Sequence, residues 1–249
     1  MPTRARNWLN PAAWVAVVAA LLLLVFPLGF PNYDTIYALV WGRELAEGLS
    51  ADRGAALPPT PHPLAELFGL VTTPLGSGAI NLTMVVAYAS LGLVGYLVYR
   101  LGSLWFDQPI GALAALIVLT RAPFLSNGLR AYVDLPYIAL VLGALVIETK
   151  RPRAGWPVLA LLAAAGLLRP EAWLFSFVYL AYLLLSAERT GKGRPGHGGG
   201  ETGARGAPVS PALVALALAA PVLWALFDWI TAGSPTYSFT GTRETVDTL

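Results

Sequence analysis

The chain has 249 residues, 56% of them hydrophobic and only 12% charged, with a formal net charge of +2 and a mean hydropathy of +0.63. Soluble domains carry about 25% charged residues, so this composition excludes an ordinary water-soluble enzyme, and its hydrophobicity excludes a mainly disordered chain. What remains is an all-α polytopic membrane protein, read as one membrane domain over 1–249. Without cysteine and with only two histidines, His62 and His197, thiol chemistry and a multi-histidine metal site are excluded; a metal would fall to carboxylates.

A membrane helix needs about 20 apolar residues. The first such run covers 12–30 and follows Arg4 and Arg6; with no A-x-A-like site behind it, it reads as an uncleaved signal anchor. A long external loop, 31–78, comes next. Within it, 35–48 has apolar Ile36, Leu39, Val40 and Leu45 against polar Arg43, Glu44 and Glu47, the pattern of an amphipathic helix on the outer surface, with Asp34 as its N-cap. Pro58 to Leu64 is proline-rich and extended, and lowers His62 and Glu66 onto the membrane edge. Further spans are expected over 79–99, 109–125, 131–147, 155–168, 172–187 and 211–230. The pair 155–168 and 172–187 is a hairpin turning at Arg169-Pro170-Glu171, because 33 continuous residues would rise about 50 Å. Residues 188–210 include eight glycines and read as a flexible cytoplasmic linker. The last residues, 243–249, are polar, compatible with a piece of a longer protein.

Seven spans with a cytoplasmic N-terminus place ten basic residues against four acidic ones on the cytoplasmic side, and six against ten on the other, as the positive-inside rule requires. The small net charge hides a polarised molecule.

There is no Walker loop, H-E-x-x-H or G-x-S-x-G motif. The chemistry-bearing residues instead share the external rim, where ionisable groups are costly and are functional candidates. Asp34 follows the first span. Arg130 and Asp134 stand at i and i+4 where the fourth span begins, so a continuous helix puts them on one face as an ion pair. Arg169 and Glu171 form the hairpin turn; Arg121, Asp228 and Arg243 lie nearby. Arginines there suit a phosphate group, and a carboxylate suits a general base acting on a hydroxyl.

A Tyr-Asp in the first external loop, W-G-R-E-L-A-E-G-L, P-x-P-H-P-L, A-Y-V-D-L-P-Y, L-L-R-P-E-A-W and S-P-T-Y-S-F-T-G-T-R together resemble GT-C glycosyltransferases that use polyprenyl-phosphate sugars, such as protein O-mannosyltransferases and lipid A aminoarabinose transferases, and in particular actinobacterial members. The resemblance implies a seven-helix core in the plasma membrane and transfer of a sugar from a polyprenyl-phosphate donor to a glycan, lipid or protein acceptor at the external face. It also implies Asp34 as the catalytic base, and a second polar position at Asp134 with Arg130. His62, Glu66, Arg169, Glu171 and Arg243 are then expected to bind the carrier phosphate or substrate. A divalent metal is compatible with these carboxylates; no other cofactor and no nucleic acid is implied. The chain departs from the pattern at Thr35, where many members have a second acidic residue. The alternatives are a multi-pass transporter or lipid flippase, and a non-catalytic membrane assembly protein.

Overall fold

The computed structural model describes residues 10–27, 29–51, 53, 58–191 and 210–240. Among them every regular element is helical. The first helix, α1 (Pro11–Val25), is capped by Asn10, whose Oδ1 accepts from the amides of Ala12 and Ala13 at 2.9 and 3.5 Å. The expected 12–30 span is helical only to Val25. Phe26 precedes Pro27 and leaves the helical region at φ −127°, as the clash with a following proline ring requires.

The stretch expected as an external loop, 31–78, is largely helical among its described residues. It holds α2 (Tyr33–Ala46) and α3 (Pro63–Thr72), with a 3₁₀ turn at Thr73–Leu75. The central helix, α4 (Gly78–Trp105), has 28 residues and rises about 42 Å. The expected 109–125 span is broken into α5 (Gln108–Thr120) and α6 (Ala122–Leu129), bent by 59°. Pro123 is the cause: it cannot donate to a carbonyl one turn back and its ring clashes with that turn. The fourth expected span begins late, as α7 (Asp134–Lys150). The hairpin is α8 (Trp156–Gly166) and α9 (Glu171–Gly191), with Arg169 and Pro170 in the turn; α10 (Pro211–Ala232) follows. Proline occupies the first or second position of α1, α3, α5, α6, α8 and α10, where the missing N–H costs nothing.

Among the described residues, α4 and α10 are long and apolar enough to cross a membrane, and the bent pair α5–α6 counts as a third if it is one span. The 11 residues of α8 rise about 16 Å, half of a bilayer core of about 30 Å. Packing is spread over several small clusters. Met84, Ala87 and Tyr88 of α4 pack on Ala19 of α1. Val94, Leu97 and Leu101 pack on Ala139 and Val146 of α7. Leu159 and Leu162 of α8 sit among Ala144, Tyr179 and Ala217 of α7, α9 and α10. Large apolar side chains stand exposed outside these clusters: Val17, Leu21 and Leu24 on α1, Leu113 and Leu116 on α5, Leu174 and Val178 on α9, Val222 and Trp229 on α10. So much uncovered apolar surface is foreign to a water-soluble monomer and fits helices facing lipid.

Two helix pairs approach backbone to backbone through glycine. A Cβ on Gly42 of α2 would lie 2.4 Å from the Glu66 carbonyl oxygen of α3, and one on Gly69 of α3 would lie 2.5 Å from the Ala38 carbonyl oxygen of α2. Gly102 and Gly111 allow the same at the α4–α5 crossing. Small residues at such crossings are the usual device of helix association in lipid. The buried face of α2 is therefore Thr35, Ala38, Trp41 and Gly42, while Ile36 and Val40 point outward. Gly42→Val is expected to destabilise the protein by about 1–3 kcal/mol through overpacking. Thermal unfolding in detergent checks this against Gly78→Ala, whose added Cβ meets only Leu75 Cβ at 3.6 Å; equal unfolding temperatures would remove the crossing from the account.

Candidate functional site

The site is assembled where α2, α3, α7 and the α8–α9 turn meet. Its foundation is a backbone seam. Phe30 N–H donates to Leu129 O at 3.1 Å and Asn32 N–H to Arg130 O at 2.7 Å, and Thr35 Oγ1 donates to Ala131 O at 2.8 Å. Asn32, not Asp34, is the N-cap of α2: its Oδ1 accepts from Thr35 N–H at 2.9 Å. Asp34 is thereby released from capping. It sits in the first helical turn, where the helix dipole favours a negative charge, and its half-buried carboxylate forms no hydrogen bond or ion pair among the described residues.

Across the seam, Ala131 adopts φ +50°. Its N–H bonds Gly128 O, and Tyr132 N–H bonds Asn127 O, which is the Schellman closure of α6. This turn interrupts any helix between Arg130 and Asp134, so the expected i, i+4 pair does not form. Asp134 pairs with Arg169 instead, and Arg169 also meets Glu171 at 3.2 Å. Arg169 thus ties the start of α7 to the start of α9. Glu171 lies below the usual carboxylate range: burial works against this, but its own backbone amide and Arg169 outweigh it. Arg130 is exposed, with its guanidinium 5.1 Å from the Tyr132 ring centre and no ion-pair partner among the described residues.

His62 ends the proline-rich stretch and precedes α3, which is anchored by Leu64 N–H to Leu167 O at 3.1 Å. The ring stands edge-on to Trp224 at 6.2 Å and is hydrogen-bonded to the Leu168 backbone. Its Nδ1 is buried without a hydrogen-bond partner. Burial pushes the imidazole below its ordinary value and Arg169 adds to this, while Asp34 and Asp134 pull the other way. This balance favours the neutral form of the ring.

Glu66 is not at the rim. Its side chain is 0% exposed and bonds Arg53 at 2.9 Å (Nη2–Oε2) and 3.4 Å (Nη1–Oε1). Arg53 lies 4.7 Å from the Trp41 ring centre and 5.8 Å from those of Phe227 and Tyr237. It also donates to Thr231 Oγ1 at 3.0 Å, and its carbonyl accepts from the Tyr237 hydroxyl. Asp228 is likewise buried, accepting from the backbone N–H and hydroxyl of Ser238 at 2.9 and 2.8 Å. Sequence reasoning missed Arg53 as a partner; its signal is spread over Trp41, Glu66, Phe227 and Tyr237, far apart in the chain. Arg121 is exposed at the α5–α6 break, and Arg243 and His197 lie outside the described residues. No three histidine, aspartate or glutamate residues among those described come together to hold a metal ion.

Beneath the charged cluster runs a groove of about 610 Å³ between α3, α4, α7 and α8. Thr35, Leu64, Val133 and Leu168 line it; each is within two residues of Asp34, His62, Asp134 or Arg169. Its wall follows α4 from Thr83 to Leu97 and α7 from Pro136 to Gly143, a run of about 21 Å along α4. Val71 and Val86, on its lining, are also exposed. Comparison with protein-family models, curated proteins and solved structures finds no match to this chain.

Breaking the buried pair in Arg53→Ala is expected to cost about 1–3 kcal/mol, because the buried Glu66 carboxyl loses its hydrogen-bond partner, and replacing both partners in Arg53→Met/Glu66→Leu should restore most of it; denaturant unfolding of the three proteins reads this. Burial pushes the Glu66 carboxyl up to about 7, with Arg53 pulling it back. The folded state thus holds this proton more tightly than the unfolded chain does. The resulting stability is full below 4.5, the group's ordinary value, and is lost as pH rises through about 7. Glu66→Gln should remove that part of the pH dependence of the unfolding temperature; an unchanged profile would contradict the assignment.

Proposed function

We propose that this chain is a membrane glycosyltransferase of the GT-C type, moving a sugar from a polyprenyl-phosphate carrier to an acceptor hydroxyl at the face that carries α2 and α3. One observation carries the reading: a carboxylate without a partner and a cluster of ionic groups stand at the head of a long apolar groove. A polyprenyl-phosphate donor has the same layout, a charged head on an apolar chain. In this reading the prenyl chain lies along α4 and α7, and its phosphate reaches the level of Arg130, Arg169 and His62. Arg169 already serves two carboxylates, so Arg130, with no ion-pair partner among the described residues, supplies the first charge to the phosphate. Asp34 takes the proton from the acceptor hydroxyl as the acceptor oxygen bonds to the anomeric carbon. The bond from that carbon to the phosphate oxygen breaks with inversion, and the arginines stabilise the departing phosphate.

The proposal extends to topology. It takes the chain as multi-pass in the plasma membrane, with seven spans and a cytoplasmic N-terminus. The short helices α1 and α8 and the bent pair α5–α6 then serve as spans shielded by their neighbours. The groove also favours a second reading, a lipid flippase, in which the apolar chain binds but no glycosidic bond is broken.

Asp34→Asn, reconstituted with a carrier-linked sugar, should lose about 10²–10⁴-fold in turnover while keeping its unfolding temperature; full turnover would remove Asp34 as the base. Arg130→Gln should chiefly raise KM for the carrier-linked sugar. Translocation of the carrier in vesicles without release of carrier phosphate would decide for the flippase.

A further inference from the structure

Two arginines stand at the head of the groove, and the fold treats them differently. Arg169 is neutralised: it pairs with Asp134 and meets Glu171 at 3.2 Å. Arg130 is exposed and meets no carboxylate among the described residues. Its guanidinium instead rests against a ring, 5.1 Å from the centre of Tyr132. The contact is attractive, because the face of an aromatic ring is negative. A carboxylate holds an arginine and cancels its charge; a ring holds it and leaves the charge in place.

The backbone is shaped for this contact. Residues two apart on a helix do not face one another. Between Arg130 and Tyr132, however, stands Ala131 at φ +50°. The left-handed turn brings the two side chains together, and it is fixed on both sides: Tyr132 N–H donates to Asn127 O at 2.9 Å, and Asn32 N–H to Arg130 O at 2.7 Å. Tyr132 also lines the groove, with Thr35, Ala131 and Val133. One half-buried ring therefore touches both the apolar groove and an uncompensated cation of the rim. Its hydroxyl forms no hydrogen bond among the described residues, and it is the ring that meets Arg130.

We propose that Tyr132 is a positioning residue for the carrier phosphate: its ring holds the Arg130 guanidinium at the head of the groove with its charge unspent, where the phosphate of a lipid lying in the groove emerges. This role rests on a phosphorylated lipid occupying the groove, and it names the residue that makes the head of the groove prefer a charged ligand. An arginine free in solvent loses side-chain freedom when it grips an anion; one already held against Tyr132 has less to lose. Without the ring the groove still takes an apolar chain, but its preference for a phosphate head falls.

The test measures the affinity of the full chain in uncharged detergent for a polyprenyl phosphate and for the uncharged polyprenol of the same length, by native mass spectrometry. The ratio of the two affinities cancels the contribution of the apolar chain. The unaltered protein should favour the phosphate. Tyr132→Leu should lower that preference by about two- to fivefold, the range of an exposed cation–ring contact, and leave polyprenol binding unchanged. Tyr132→Phe should keep the preference. A fluorinated phenylalanine at position 132, which keeps the shape but depletes the negative face of the ring, should lower it as far as Tyr132→Leu does. In an Arg130→Gln background, Tyr132→Leu should cause no further loss. A merely structural role would lower both affinities together and would not respond to fluorination. An undiminished preference in the Tyr132→Leu or fluorinated protein, or an equal loss in Tyr132→Phe, would overturn the positioning role. An unaltered protein that binds neither lipid, or binds both equally, would instead overturn the reading of the groove beneath it.

Discussion

The site depends on the seam between residues 30–35 and 129–131. Two backbone hydrogen bonds and the Thr35 hydroxyl join the entry of α2 to the turn before α7, and this is what brings Asp34 within electrostatic reach of the same histidine as Asp134 and Arg169. The seam exists because Ala131 takes a left-handed conformation that costs a non-glycine residue about 1–2 kcal/mol. The α6 closure it permits, the Thr35 bond to its carbonyl and its burial beside Met84 and Tyr88 offset that cost. Strain held by surrounding structure is common where geometry matters for function.

Around this seam the buried charges divide by role. Glu66 and Asp228 are fully satisfied: one by Arg53 inside a ring of Trp41, Phe227 and Tyr237, the other by Ser238. Both fasten loop segments to α10, and neither is free to do chemistry. Asp34, the Arg130 guanidinium and the Nδ1 of His62, by contrast, are left without hydrogen-bond or ion-pair partners among the described residues. The rigid locks and the unspent groups lie at one end of the bundle, so the locks hold in place the loops from which the unspent groups project.

Much of the helical outline was legible in the sequence, because long apolar runs broken by proline and charge have few other meanings. The breaks inside those runs were harder. Pro27 and Pro123 end helices that hydropathy alone would continue, and the left-handed turn at Ala131 has no glycine to announce it. That turn explains the mistaken pairing of Arg130 with Asp134: spacing predicts contact only along an unbroken helix. Glu66 looked like a rim carboxylate because its partner Arg53 and its aromatic cage come from distant parts of the chain. The amphipathic face expected on α2 was set by Ile36, Leu39, Val40 and Leu45, yet the buried face is Thr35, Ala38, Trp41 and Gly42, because Gly42 and Gly69 let the α2 and α3 backbones meet there.

The central claim is that the groove under Asp34 takes the apolar chain of a phosphorylated lipid, with its head at the seam. Photolabelling with a polyprenyl phosphate that carries a diazirine in its chain tests this most directly. The account predicts that the label falls on groove residues of α4 and α7 such as Ser90, Leu93 and Leu140 and is displaced by unlabelled polyprenyl phosphate. Label confined to the outward faces of α5 and α9, and undiminished by that competitor, would contradict it.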